Sequence, residues 1–137
     1  MTSEEEDLRG IAEDQPAFSR FMGINLISFS RDCIVAELVV REEMANRNGV
    51  LHGGAIMAFA DNLGGTAASL NLPPGTKTTT MESKTNFLRS ITIGQTAHAE
   101  CVPLHRGRTT SVWQTTVSDE RGRAAAIVTQ TQLVLRP

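Results

Sequence analysis

Long hydrophobic runs are missing from this chain, and with them the membrane-spanning class: no apolar stretch approaches the roughly 18 residues that a spanning helix needs. The opening MTSEEEDLRG is acidic where a secretory signal would be basic and then apolar, so a soluble, non-exported protein with no membrane partner is expected. Cysteine is nearly absent. Cys33 and Cys101 stand in strand-like runs without CxxC or histidine spacing, which argues against a metal site and predicts buried, reduced thiols and a cytoplasmic location. An excess of one charge is lacking too, since a formal net charge of −2 argues against broad nucleic-acid binding. With no internal repeat and no low-complexity segment, the 137 residues read as one domain long enough to bury its own core.

The charge that is present is unevenly spread. Six of the fifteen acidic residues fall within the first fourteen positions, leaving nine acids against twelve Lys and Arg in the remainder, a balance of +3. A mildly basic body suits a phosphate-bearing small ligand, and an ordinary mixed surface behind a solvated acidic tail explains the same numbers equally well.

The richest window is Asn46 to Leu70, NRNGVLHGGAIMAFADNLGGTAASL. From Ala55 to Leu70 it is almost uncharged, free of proline and rich in Ala, Leu and Met, which predicts a helix hidden on most of its faces. Asp61 is the only ionisable residue in that helix. Burying a lone carboxylate is costly without compensation, so a functional acid is a stronger reading than a structural one. His52-Gly53-Gly54 stands where the helix begins, and there free N–H groups and the positive end of the helix dipole have the makeup of an oxyanion hole. Gly53 offers the N–H best suited to polarise a carbonyl, with Gly54 also able to serve. The His52 ring either bonds the substrate oxygen or anchors the loop, and Asn46 either orients a reacting group or forms a turn.

At about 100° per residue, Gly54 and Asp61 share one stripe of the helix but lie roughly 10 Å apart along its axis. An acid there cannot reach a carbonyl held at the start of its own helix. If both groups serve one reaction, the acid comes from a second copy whose helix runs antiparallel in a two-fold dimer. The stripe is read as Gly54, Ala58, Gly64, Gly65 and Ala68, small enough for close approach. Asp61 then either attacks a carbonyl directly or deprotonates water, and the residues leave both open.

Around the helix the periodicity changes. Ile24-Ser30 and Cys33-Val40 read as a hairpin across Arg31-Asp32, and the helix stops near Asn71-Leu72-Pro73-Pro74-Gly75. Thr78-Arg89, Gln95-Leu104, Thr109-Ser118 and Arg123-Leu135 follow as strands, separated by turns at Gly94, Arg106-Gly107 and Asp119-Glu120-Arg121-Gly122. Ala17 to Met22 reads as a short helix behind a frayed or helical lead-in at residues 1–14. The order ββ-α-ββββ predicts an α+β fold in which a curved antiparallel sheet wraps one long helix.

The pattern Asn46-x-x-Gly49-x-x-His52-Gly53-Gly54, followed by Asp61, resembles the signature of the hotdog-fold acyl-CoA thioesterases of the phenylacetic-acid-degradation (PaaI-like) type, from about Phe18 to Leu135. The resemblance implies a single hotdog thioesterase domain over residues 15–137, behind the acidic lead-in at 1–14. It implies hydrolysis of acyl-CoA to a free acid and CoA with no metal or organic cofactor, in a homodimer that pairs into a dimer of dimers. Its catalytic residues would be Asp61, Gly53, His52 and Asn46, joined by Thr79 or Thr80 in the strand where related enzymes often carry a hydroxyl that holds the attacking water. The segment His105-Arg106-Gly107-Arg108-Thr109 falls where the family contacts the coenzyme A moiety, with Arg89 a further candidate for that contact. A plain solvated hairpin accounts for Arg106 and Arg108 as readily. Phe18, Phe21, Met22, Met57, Phe59 and Leu63 are candidate walls for the acyl group, whereas His98, Trp113 and the five Met read more simply as sheet or core. Two other functions fit less well. A hotdog hydratase or dehydratase pairs a His with an acid, and a non-catalytic acyl-CoA-binding module has no need of Asp61.

Overall fold

In the computed structural model, which describes Met1–Pro137, the chain opens with helix α1 (Ser3–Glu13), capped reciprocally by Thr2 and Glu5. Helix α2 (Ala17–Met22) ends at Gly23, whose φ of 78° is the left-handed conformation that glycine adopts without strain. Six strands follow around the central helix α3 (Gly53–Ser69): β1 (Asn25–Phe29), β2 (Ile34–Val39), β3 (Lys77–Phe87), β4 (Thr96–Arg106), β5 (Thr110–Ser118) and β6 (Ala124–Leu135). They form one sheet in the order β1-β2-β4-β5-β6-β3, with every neighbouring pair antiparallel. Helix α3 packs against β2 through β6, and this single helix on a six-stranded sheet is the hotdog architecture. No helix is long and apolar enough to cross a membrane.

The helix can approach the sheet because the inner face beneath it is lined with small side chains. Ala36, Ala97, Ala99, Cys101, Ala125 and Ala126 are all buried, and Trp113, Phe59, Ile34, Leu38 and Leu63 fill the space between. Along α3, Ile56, Phe59, Ala60, Leu63 and Ala67 recur at three- and four-residue spacing and form the inward stripe. Gly64 lies on that buried side. A Cβ added there would fall 2.2 Å from Cδ of the buried Gln130 on β6, so only glycine fits without a shift of the helix or the amide.

Several expected boundaries and faces are corrected. The helix begins at Gly53, within the expected His52-Gly53-Gly54 start, because the His52 ring caps it, and it ends at Ser69. The outward stripe carries Gly54, Met57, Ala58, Asp61 and Gly65, whereas Gly64 and Ala68 are buried against the sheet and do not belong to it. Asp61 is exposed rather than buried in the single chain, since its direction on the helix points away from the core. Strand β3 stops at Phe87, short of Arg89, because the successive N–H groups of Leu88 and Arg89 share the Ala125 carbonyl and end the ladder. Strand β4 runs on to Arg106. Cys33 precedes β2 and is half-buried, Cys101 alone of the two thiols being fully buried. Met57 on α3 is exposed and belongs to neither sheet nor core, whereas Met81 is exposed within strand β3.

Met81 marks a β-bulge. Thr80 faces Gln132 across the ladder and Glu82 faces Thr131, which leaves Met81 without an opposite number. The extra residue resets the alternation, so Thr78 and Thr80 are half-buried before it, Ser83 and Thr85 after it, and Glu82 and Lys84 stay in solvent.

Replacing Gly64 by Ala should lower unfolding free energy by about 1–3 kcal/mol, the usual range for overpacking a well-filled core. Adding Gln130→Ala to that chain should recover part of the loss, measured by denaturant unfolding, because the two changes act on one contact. Strictly additive losses would show that the contact does not limit the packing.

Candidate functional site

The start of α3 is built by a loop that bonds to itself. Asn46 Oδ1 accepts from the N–H groups of Asn48 (2.9 Å) and Val50 (3.3 Å), and Gly49 turns the chain with a φ of 74°. The carbonyl of the Asn46 side chain is therefore spent on the turn. Its amide nitrogen makes no hydrogen bond within the chain, and the residue lines a cleft with Gly53, Phe87 and Arg89.

His52 is the N-cap of α3, and its Nδ1 accepts the Gly54 N–H at 2.8 Å. Two consequences follow from that bond. The Gly54 N–H, expected to be open to a ligand, is already occupied, and the neutral ring must carry its proton on Nε2. Gly53 is left as the residue whose N–H has no partner within the chain, at the positive end of a 17-residue helix. The Phe87 ring lies over it, 3.1 Å from where a Cβ on Gly53 would sit, so the approach to this N–H runs along an aromatic edge.

Asp61 sits eight residues further along the helix, about 12 Å by helical rise. Thr80 Oγ1 donates to its Oδ1 at 2.7 Å, and Gln130 Nε2 lies 3.4 Å from the same oxygen. Oδ2 has no partner in the chain. Thr80 thus faces the acid, while its neighbour Thr79 is exposed and turned to the other side of the strand by the pleat. Beside Asp61 opens a cleft of about 500 Å³, bounded by Asn62 and Thr66 of α3, by Thr78 and Thr80 of β3 and by Gln15. Gln15 closes one end, donating to Thr66 Oγ1 at 3.2 Å and accepting from Asn62 Nδ2 at 2.9 Å.

The arginines divide between the two ends of α3. Arg89 lines the cleft at Gly53. Arg106 lies at the far end, where it donates to Asp32 Oδ1 at 2.8 Å and to the Arg31 carbonyl at 3.0 Å, so it ties the β1–β2 turn to β4. Arg108 is exposed with no ion pair, and Arg136 beside it donates to the Arg108 carbonyl at 3.0 Å. Gly107 must lack a side chain, since a Cβ would lie 2.9 Å from the Thr110 carbonyl. Thr109 is exposed, and its carbonyl accepts from Val134.

Neither thiol competes as a nucleophile. Burial pushes the Cys101 thiol up to about 11, opposed by a hydrogen bond with Thr115 and aided by Cys33. Burial and then the Glu100 and Asp32 carboxylates push Cys33 up as well. No group of three or more His, Cys, Asp or Glu side chains converges as a metal site would require. Trp113 is buried with its Nε1 bonded to Ser111 Oγ, and His98 is half-exposed beside Glu37.

Among the residues of this geometry that escape a reading of the sequence are Phe87, Gln130, Gln132 and Arg136, with Gln15, Asn62, Thr66 and Thr78 around the acid. The one available signal lies in VTQTQL, where strict alternation puts Gln130 and Gln132 on the same face as Val128.

Known proteins resemble this chain in both sequence and fold. The Thioesterase superfamily profile matches residues 48–126, which carry both the helix start and the acid. The chain is 32% identical over 103 residues to the 1,4-dihydroxy-2-naphthoyl-CoA hydrolase of Escherichia coli, covering 75% of each chain. In fold it is similar to the PaaI protein from the phenylacetic acid degradation operon of Escherichia coli, with a TM-score of 0.83 at 22% identity over 95% of this chain and 91% of that one. It is also similar to smu.793 of Streptococcus mutans, solved bound to acetyl CoA, with a TM-score of 0.75 at 28% identity over 83% of this chain and 91% of that one.

Proposed function

Because the chain belongs to the thioesterase superfamily and is a thioester hydrolase of the PaaI-like type, we propose that it hydrolyses acyl-CoA in a site shared between two copies, with Asp61 from one and Gly53 from the other. The observation that carries this reading is a separation. The free N–H of Gly53 and the Thr80-bonded carboxylate of Asp61 lie about 12 Å apart along the axis of α3, too far to meet on one thioester. Two such helices running antiparallel about a two-fold axis bring each start beside the other's middle. The surroundings favour that pairing. Strand β3 is an edge of the sheet, so its outer N–H and C=O groups are open to a second β3. Met57, Phe87 and Leu88 expose apolar surface along the same side.

In this arrangement the thioester oxygen is polarised by the Gly53 N–H and the helix dipole, with the Asn46 amide at the same mouth and the Nε2–H of the adjoining, exposed His52 as further donors. Oδ2 of Asp61 is the free oxygen, and it either takes a proton from water as the water adds to the carbonyl or adds to the carbonyl itself. The C–S bond then breaks and the thiolate leaves. On the first route it takes the proton that Asp61 drew from water, and the free acid is already formed. On the second a mixed anhydride with Asp61 remains, which water hydrolyses to the free acid, restoring the carboxylate and supplying the proton for the thiolate. An antiparallel pair also carries the end of the second helix past the first helix's start, so Arg106 and Arg108 of one copy approach Arg89 of the other. Arg108, exposed and unpaired, is the best suited of these to a phosphate. The acetyl CoA bound to the Streptococcus mutans relative supports coenzyme A thioesters as the substrate class.

Asp61→Asn should fold normally and lose about 10²-fold or more in kcat, the range for a positioned base. Asp61→Ala and Gly53→Val, each inactive alone, should recover up to about half of wild-type activity in heterodimers, because one of the two sites then receives both intact halves. No recovery with heterodimers confirmed by native mass spectrometry would refute the shared site. Arg108→Ala should raise KM for acyl-CoA severalfold and leave hydrolysis of an acyl-pantetheine unchanged. Equal effects on both substrates would make this turn structural only.

A further inference from the structure

Beneath Asp61 runs a line of polar side chains where an apolar core is the usual filling. Gln132 of β6 is 1% exposed and Gln130 is fully buried. Gln132 Nε2 donates to Thr80 Oγ1 at 2.7 Å, and Thr78 Oγ1 donates to Gln132 Oε1 at 2.9 Å. Thr80 Oγ1 in turn reaches Asp61 Oδ1 at 2.7 Å.

The direction of every bond in this line is fixed by its end. An ionised carboxylate only accepts, so Thr80 must spend its single hydroxyl hydrogen on Asp61. The Thr80 oxygen then needs a donor from the other side, and an amide NH2 only donates. Gln132 must therefore present Nε2 to Thr80 and Oε1 to Thr78, whose single hydroxyl hydrogen lies between that oxygen at 2.9 Å and the Leu133 carbonyl at 3.1 Å. Without Gln132, the Thr80 hydroxyl is free to rotate about its Cβ–Oγ1 bond and to bond water or a backbone carbonyl, because it stands at the half-exposed rim of the cleft.

We propose that Gln132 is a positioning residue that acts through Thr80: it locks the threonine hydrogen onto Oδ1 of Asp61, so that Oδ2 is the oxygen presented to the reaction. Gln130, 3.4 Å from Oδ1 and wedged against Gly64, is the second, weaker hold on the same oxygen. The inference rests on Asp61 as the reacting acid, and it concerns the chain's own interior, so it needs no contact from Gln132 to substrate. Burial gives the amide its effect, since a fully desolvated donor has no water to bond instead and holds its geometry tightly.

The test is a double-mutant cycle with Gln132→Met, which keeps length and removes the donor, and Thr80→Val, which keeps shape and removes the hydroxyl. Each single variant should lower kcat about tenfold, the scale of one hydrogen bond withdrawn from a charged group, with KM within about twofold of wild type. In the Thr80→Val background, Gln132→Met should cost nothing further, because its only route to Asp61 is already cut. Additive losses in kcat, a loss confined to KM, or wild-type turnover of Gln132→Met would each overturn the proposal. Should the methionine variant fail to fold, Gln132→Leu puts an apolar side chain of similar volume there and removes the donor; it must show the same fall in kcat, and wild-type turnover there overturns the proposal equally. Asp61→Asn separates the two levels. If that variant keeps its activity, the acid itself is misassigned, whereas an inactive Asp61→Asn beside a fully active Gln132→Met removes only the role of the glutamine.

Discussion

Helix α3 can lie as close to β6 as it does only because residue 64 has no side chain. With the Gln130 amide filling the space where a Cβ would stand, the depth of the helix and its rotation about its own axis are set at this one contact. Asp61 is three residues earlier on the helix, so the rotation that seats Gly64 on Gln130 also brings the acid to Thr80 at the sheet's edge. At the other end the same seating slides Gly53 under the Phe87 ring. Core packing and the geometry at Asp61 and at Gly53 are thus one constraint, and a shift of the helix by a few tenths of an ångström would be felt at both.

The start and the middle of this helix carry complementary chemistry. Its start offers a donor at the positive end of the dipole, suited to an oxygen gaining negative charge. Its middle offers a carboxylate held by a hydroxyl and an amide, suited to giving up an electron pair. The His52 cap sharpens the first, for by occupying the Gly54 N–H it leaves Gly53 as the accessible donor and stiffens the turn that presents it.

Much of this was legible in the order of residues. The uncharged, proline-free stretch after His52 did form the long helix, the turn signals did separate the strands, and the isolation of Asp61 drew attention to the residue that Thr80 now bonds. Facing was harder to read. A helix so uniformly apolar shows no amphipathic stripe, so nothing in its composition distinguished Gly65, which faces out, from Gly64, which faces in. In β3, the run Thr-Thr-Thr-Met-Glu-Ser-Lys-Thr has no alternation to follow, because the register changes at Met81, and only the bulge decides between Thr79 and Thr80. Gln130 and Gln132 were hidden for a related reason: their fit depends on a glycine and two threonines far away in the chain.

Leaving Met81 unpaired also changes what the outer edge of β3 offers to other polypeptides. A flat, regular edge is a template onto which any extended segment can add, and runaway assembly begins there. Here the extra residue increases the twist and shifts the phase of the outward N–H and C=O groups partway along. A stray regular strand that matches the edge from Lys77 to Thr80 therefore falls out of step beyond it. A strand with its own interruption at the matching point can stay in step on both sides. One surplus methionine thus narrows the set of strands that fit this exposed edge.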